Sequence, residues 1–201
     1  MSRLGLLVMD ASPLIIWAAA DALECLTMPG LRVVIPDMVY FEVTEDLSGT
    51  GAEDIVQWAR RHQGQVEIVL TSVFSEFQVI RGADPRTRSR GRGGLAALEV
   101  LNAEIDRDSE LEALLLYEDN DVKKRRFVRG LPERVTALST GDLLHELEAA
   151  GRIQSSDHIL DIAAEKERNV ERQRHPSSDD AARHALRRQL NRTDSGGGDG
   201  R

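Results

Sequence analysis

The sequence contains little cysteine, few aromatic residues and no long apolar run. Cys25 is the one cysteine among 201 residues, which excludes an intrachain disulfide and a cysteine-based metal cluster. Aromatic residues make up 4% of the chain, so its core must be built mainly from Leu, Val, Ile and Ala. No apolar stretch reaches the length of a membrane span, and no basic leader with a cleavage site opens the chain. We therefore expect a cytoplasmic protein with no membrane partner.

Basic residues are also outnumbered by acidic ones, 26 Lys and Arg against 34 Asp and Glu, so the formal net charge is −8. An acidic chain is poorly suited to sequence-independent coating of DNA. It can still bind a polyanion if metal ions or a local arginine cluster supply the positive charge. With 201 residues, 41% of them hydrophobic, the chain is long enough and apolar enough to form one domain with its own core.

Short apolar runs alternate with segments of helical character along most of the chain. Strands are predicted at residues 4–9, 32–36, 66–70, 111–119 and 134–138. Helices are predicted at residues 13–26, 38–47, 52–62, 73–81, 95–105 and 140–151, and another begins within 122–129. This alternation predicts an α/β fold with a central, mostly parallel sheet of about five strands flanked by helices.

The C-terminal part of the chain differs in composition. Residues 166–201 mix charges with Ser and Gly and contain few large apolar side chains. We predict a charged, disordered tail there, following a single domain of residues 1–165. Within the tail, the fragment AARHALRRQL could form a helix on a partner.

Acidic residues follow several of the predicted strands. Asp10 ends the first strand in LGLLVMDASPLI, and Glu42 lies on the helix after the second strand. Glu118, Asp119 and Asp121 follow the fourth strand in YEDNDV. Ligands of open parallel sheets bind beyond the carboxyl ends of the strands, so acids from three segments are expected at one edge. Any one of them alone is more often a solvated surface group, and their shared position is what favours a site.

Crowded carboxylates repel one another and would raise one another's pKa values unless a cation neutralises them. Oxygen ligands suit Mg²⁺ or Mn²⁺, and the five histidines include no HExxH pattern that would favour zinc. Such a metal site activates water and stabilises the oxyanions of an in-line attack on a phosphodiester. This interpretation makes Asp10 a metal ligand held at a strand terminus.

The order VMDASPLI, IPDMVYFEV, LLLYEDNDV and TALSTGDLLHELEAAGRI resembles PIN-domain ribonucleases, many of which are VapC-type toxins of bacterial toxin–antitoxin pairs. The resemblance covers residues 4–165, so the predicted domain of residues 1–165 is PIN-like. It implies a sheet-and-helix nuclease fold, RNA cleavage that depends on Mg²⁺ or Mn²⁺, and the toxin role of a type II module. The partners that it implies are an RNA substrate, a cognate antitoxin protein and a second copy in a homodimer.

Carried over residue by residue, the resemblance makes Asp10 the first acid of the site and Glu42 the second. Asp119 matches the acid after the fourth strand, with Asp121 as its neighbour. These four acids are the implied catalytic residues, and Asp10, Asp119 and Asp121 are the implied metal ligands.

One acid of the family pattern is missing. Related PIN domains carry a Gly-Glu pair that opens the helix before the fourth strand, and Gly94 stands where that glutamate is expected. Glu99 is the alternative metal ligand on this helix, but it lies about 140° around the helix from Gly94. The expectation is therefore a weakened metal site.

Arginines are concentrated in the segment RGADPRTRSRGRGG. Arg86, Arg88, Arg90 and Arg92 could position RNA, because a guanidinium contacts a phosphate with two parallel hydrogen bonds. A solvated loop that maintains solubility explains the same residues equally well. No aromatic platform accompanies the loop in the sequence, so base-specific recognition is not predicted.

Three other functions compete with the nuclease. A catalytically impaired PIN-like module that binds RNA or protein is favoured by Gly94. A phosphatase with Asp10 as its nucleophile is disfavoured, because Ser12 stands where a second acid would act as the general acid. Dinucleotide binding is disfavoured, because no GxGxxG follows the first strand.

Overall fold

A five-stranded sheet forms the centre of the molecule. The computed structural model describes residues 2–89, 91–118, 130–166, 168–174 and 180–195. Its strands are β1 Arg3–Met9, β2 Arg32–Pro36, β3 Val66–Val69, β4 Leu111–Leu116 and β5 Val135–Leu138. Neighbouring strands all pair in parallel, in the order β3-β2-β1-β4-β5. The predicted α/β class is confirmed, and the architecture is consistent with a PIN-like fold.

The described residues form eight α-helices around this sheet. They are α1 Ala11–Ala19, α2 Asp37–Thr44, α3 Ala52–Arg61, α4 Ser72–Ala83, α5 Gly93–Arg107, α6 Thr140–Ala149, α7 Ser156–Glu165 and α8 Asp180–Ser195. Two 3₁₀ helices, Leu23–Thr27 and Glu171–Arg174, join them. None of the helices within the described ranges combines the length and apolar character needed to cross a bilayer. The predicted helix within 122–129 lies outside the described residues.

The two faces of the sheet carry separate apolar cores, because successive side chains of a strand point to opposite faces. On β1, Leu7 and Met9 belong to the larger core, which also includes Trp17 of α1 and the buried leucines of α6. Leu6 and Val8 belong to the other core, which is covered by α5. Burial on both faces explains why the central strands β1, β2 and β4 read as mainly apolar runs rather than alternating ones.

The first helix is shorter than predicted. The sequence favours one helix over residues 13–26, but α1 ends at Ala19 and a 3₁₀ helix follows. Asp21 adopts a left-handed conformation, with φ of 55°. The Asp21 N–H donates to the carbonyl of Ala18, and the Ala22 N–H donates to that of Trp17. This is the hydrogen-bond pattern of a Schellman C-cap, which Asp can form because its short polar side chain tolerates the left-handed region.

The C-terminal region differs from the predicted disordered tail. Residues 180–195 form α8, and the side chains of Ala182, Leu186 and Leu190 are fully buried in the larger core. Three polar contacts reinforce this packing, namely Arg187 with Glu146, Arg152 with Thr193, and Gln189 with the carbonyl of Pro29. The fragment considered for a partner helix packs instead on its own chain.

Candidate active site

Asp10 lies where the direction of the sheet connections reverses. From β1 the chain proceeds outward through β2 and β3, and then crosses to β4 and β5 on the other side. The backbone N–H of Asp10 donates to the carbonyl of Leu116 at 2.9 Å, which joins the carboxyl ends of β1 and β4. Such a switch point is where open α/β sheets bind their ligands, because the connecting loops diverge there and leave a crevice.

Glu42 and Asp10 converge beside the first residue of α5. A Cβ placed on Gly93 would lie 3.5 Å from Oδ1 of Asp10, 3.3 Å from Oε2 of Glu42 and 3.1 Å from Cγ2 of Val39. The two carboxylates, which we call the acid pair, therefore face the same small volume. Because Gly93 has no side chain, that volume is not filled from α5.

The glycine that faces the acid pair is one residue away from the position that the family pattern indicated. That pattern pointed to Gly94, which is half-buried, whereas Gly93 is buried and borders both carboxylates. The sequence carries no strong signal for the start of α5, since Arg92 precedes the helix without a side-chain cap. If the predicted start of a helix is wrong by one residue, the predicted direction of every later side chain is wrong by about 100°.

The two acids predicted after the fourth strand, Asp119 and Asp121, lie outside the described residues. Their roles as metal ligands and catalytic groups stay predictions. Within the described part of the chain, no group of three or more His, Cys, Asp or Glu side chains is arranged to hold a metal ion. The acid pair is thus the part of the predicted site that the described residues bring together.

Glu118, the first acid of YEDNDV, is buried on the side of the sheet covered by α6. Its Oε1 accepts from the N–H of Thr140 at 3.2 Å, and its Oε2 accepts from the side-chain amide of Gln173. Gly141 allows this approach, because a Cβ there would lie 2.1 Å from the carbonyl oxygen of Gln173. Glu118 therefore fastens the 3₁₀ helix Glu171–Arg174 to the end of β4.

Glu99, the alternative metal ligand on α5, forms hydrogen bonds with the start of α4. It lies six residues after Gly93, about 9 Å further along α5. Its carboxylate accepts from the N–H and hydroxyl of Ser72 at 2.7 and 2.8 Å, and from the N–H of Val73 at 3.2 Å. These groups open α4, so Glu99 satisfies helix N–H groups that have no partner within the helix. The structure gives this residue the role of a cap between two helices and does not bring it to the acid pair.

The cap makes a prediction for the pH dependence of stability. Partial burial alone would raise the pKa of Glu99, but the hydrogen bonds from Ser72 and Val73 hold it below the ordinary value of 4.5. A carboxyl whose pKa is lowered by folding stabilises the fold above its unfolded pKa and stops doing so as pH falls through its folded pKa. We expect Glu99→Gln to unfold more easily than wild type at neutral pH, with the difference shrinking well below pH 4.5.

Urea unfolding of both proteins at neutral and acidic pH measures this difference. Glu76→Gln, which removes an exposed carboxylate from α4, is the matched control for the loss of one negative charge. A difference between wild type and Glu99→Gln that stays constant with pH would contradict the capping role.

The arginine segment lies next to aromatic side chains that come from elsewhere in the chain. Arg86 and Arg88 are exposed, Arg92 is half-buried, and Arg90 lies outside the described residues. The guanidinium of Arg92 stands 5.5 Å from the ring centroid of Phe77. Phe77 is fully buried, so this contact gives the arginine segment no exposed ring, and the absence of an aromatic platform stays a prediction. The sequence does not reveal that three phenylalanines cluster here, because Phe41 is on α2, whereas Phe74 and Phe77 lie on one face of α4.

No protein-family model matches this chain, and no curated protein matches it.

Proposed function

We propose that this protein is an endoribonuclease that hydrolyses RNA phosphodiester bonds with the help of a divalent metal ion. The observation that carries the proposal is the convergence of Asp10 and Glu42 on the Cβ position of Gly93. This convergence lies at the carboxyl end of a parallel sheet, at its switch point.

The chemistry of the acid pair fits Mg²⁺ or Mn²⁺. Both donors are carboxylate oxygens, the ligands that these hard cations prefer, and the missing side chain at Gly93 lets both of them approach the start of α5. Asp10 and Glu42 would hold the ion, with Asp119 and Asp121 as the further acids that the sequence predicts. When bound, such an ion lowers the pKa of water and stabilises the charge that develops on the phosphate.

The chain itself would supply orientation and positive charge. The N-terminus of α5 begins at Gly93 and directs the positive end of the helix dipole toward the acid pair. Exposed Arg86 and Arg88, together with Arg92 and the predicted contribution of Arg90, would contact the phosphates of the substrate. These groups would hold RNA against the acids despite the overall negative charge of the chain.

For the biological role, we propose the one that the resemblance to VapC-type toxins implies. The protein would act in the cytoplasm as the toxin of a type II toxin–antitoxin module, bound and inhibited by a cognate antitoxin protein, and would form homodimers. The order of the acidic motifs along residues 4–165 supports this proposal, together with the parallel sheet that carries them.

Metal-dependent cleavage is the direct test. We expect the purified protein to cut a structured RNA with single-stranded loops when Mg²⁺ or Mn²⁺ is present, and to leave it intact in EDTA. Gel analysis of end-labelled RNA measures the products. Cleavage that is equally fast in EDTA would indicate a contaminating metal-independent nuclease, and no cleavage with either metal would contradict the proposal.

A second candidate is a PIN-like module without catalytic activity that binds RNA or protein. It is favoured by the glycine at the position where the family pattern expects a glutamate, since the missing carboxylate weakens the metal site. If wild type is inactive and Gly94→Glu or Gly93→Glu gains metal-dependent cleavage, the impaired module is the better description. Both positions are needed in this test because Gly93 is the one that borders the acid pair.

A further inference from the structure

Three phenylalanines form a compact cluster between α2 and α4. The ring centroid of Phe41 lies 5.3 Å from that of Phe74 and 5.5 Å from that of Phe77. Phe77 is fully buried, while Phe41 and Phe74 are only half-buried. The cluster is therefore anchored in the protein by one ring and reaches the surface with two.

Arginine side chains hold positive charge against these rings. The guanidinium carbon of Arg81 stands 5.1 Å from the Phe41 centroid and 5.7 Å from the Phe77 centroid, and Arg92 covers Phe77. Arg81 also pairs with Glu45, which fixes its position over the rings. Such distances are those of cation–π contacts, in which the face of the ring attracts the cation.

A cleft of about 350 Å³ opens between the rings and the end of α4. Phe41, Phe74 and Arg81 line it together with the exposed Gln78, whose amide offers both a donor and an acceptor. These three groups match the parts of a nucleotide. An aromatic wall can contact the face of the base, a guanidinium can bind the phosphate, and an amide can hydrogen-bond to the edge of the base.

The cleft and the acid pair are built from neighbouring residues of the chain. Phe41 immediately precedes Glu42 on α2, and Arg92, which covers Phe77, immediately precedes Gly93. A ligand in the cleft would thus lie beside the candidate active site. Pro85 of the cleft lining directly precedes the exposed Arg86, so positive charge lies near the cleft although the whole chain is acidic.

We propose that this cleft binds one base of single-stranded RNA, next to the phosphate that the acid pair would attack. The proposal rests on the proposed nuclease function for the identity of the reaction. Single-stranded RNA is the expected ligand because its bases are unstacked and can lie against an aromatic side chain, whereas the bases of a duplex are already stacked. Phe74 would provide the stacking surface beside Phe41, whose ring Arg81 covers, and the Arg81 guanidinium would contact the adjoining phosphate.

Two RNA probes with the same backbone separate stacking from phosphate binding. One is a fluorescein-labelled single-stranded RNA, and the other is its abasic counterpart, which keeps the phosphates and loses the bases. Fluorescence anisotropy in EDTA measures binding without cleavage. We expect wild type to bind the RNA with bases about tenfold more tightly than the abasic chain, within the range that a base stacked on an aromatic ring contributes.

Substitutions at Phe74 attribute this preference to the cleft. Phe74→Leu keeps an apolar side chain and removes the ring, so we expect it to lose most of the preference while its affinity for the abasic chain is unchanged. Phe74→Tyr keeps the ring and should keep the preference. Val79→Ala, at an exposed apolar residue of the same helix that does not line the cleft, is the matched control.

The outcomes distinguish this proposal from the nuclease proposal. Equal affinity of wild type for both probes, binding of neither, or a full preference in correctly folded Phe74→Leu would overturn the base subsite. If Phe74→Leu does not fold, the wild-type comparison and Phe74→Tyr still decide. Metal-dependent cleavage without any base preference would overturn the subsite alone, and a base preference without cleavage would overturn the nuclease alone.

Discussion

Replacing Asp10 by asparagine is expected to lower metal-dependent RNA cleavage by more than about a hundredfold. Losing a group that merely supports a metal ligand already costs up to about that factor. Asp10→Asn keeps the size of the side chain but removes one of the two negative charges that converge beside Gly93. Initial rates of cleavage with Mg²⁺ and Mn²⁺, measured over a range of metal concentrations, give the size of the effect.

The control for this experiment is Asp54→Asn, which makes the same chemical change at an exposed position in the first turn of α3. It should cleave RNA at the wild-type rate. Circular dichroism and thermal unfolding of both variants establish that the fold is retained. If a folded Asp10→Asn protein still cleaves RNA at the wild-type rate, the acid pair takes no part in the mechanism. The nuclease proposal would then lose the observation on which it is based.

The strands could be predicted from sequence because their physical signal is local. The central strands β1, β2 and β4 are buried on both faces of the parallel sheet, so each appears as a short, mainly apolar run, whereas the edge strand β3 exposes Glu67 and Ile68. All five predicted strands are present, with ends shifted by a few residues. Their parallel arrangement followed from the intervening helices, since a parallel pair needs a long crossover.

Helix boundaries were less predictable, because they depend on caps and on packing. The C-cap at Asp21 divides one expected helix, and nothing in the apolar pattern marks it. Helix α7 was not predicted, although Ser155 gave a recognisable start signal, and its side chain indeed accepts from the N–H of His158. Local polar chemistry would have located this helix where hydrophobic periodicity did not.

In the candidate site, too, residues could be predicted where neighbouring sequence determines their position, but not where contacts distant in sequence do. Asp10 and Glu42 were found from their positions after a strand and on the following helix, and both face Gly93. The role of Glu99 could not be found this way, because its partners Ser72 and Val73 are 27 and 26 residues away. Sequence proximity to the expected glutamate suggested a metal ligand, whereas tertiary packing makes it a helix cap.

The composition of the C-terminal region concealed α8. Its apolar positions Ala182, Leu186 and Leu190 recur every four residues, which is one face of a helix. Apart from Ala185, the intervening residues are charged or polar, so the segment as a whole resembles a disordered tail. The spacing of a few buried residues, rather than their number, is what determines that this helix joins the core.

Leu186→Ala is therefore expected to destabilise the whole domain, by about 3 kcal/mol. Removing a fully buried leucine costs about 2–5 kcal/mol, because the transfer energy of its methyl groups is lost and a cavity remains. Leu186 is fully buried among residues of the larger core, which includes Trp17 and the leucines of α6. Urea unfolding followed by circular dichroism measures the change in the free energy of unfolding.

Arg188→Ala tests the same helix without removing core contacts. Arg188 is exposed on α8, and alanine is the better helix former, so this variant should unfold within about 0.5 kcal/mol of wild type. If residues 180–195 were a tail awaiting a partner, the two substitutions would leave the stability of the isolated protein equally unchanged. A large loss confined to Leu186→Ala requires that α8 is part of the folded domain, because only a buried side chain leaves a cavity when it is shortened.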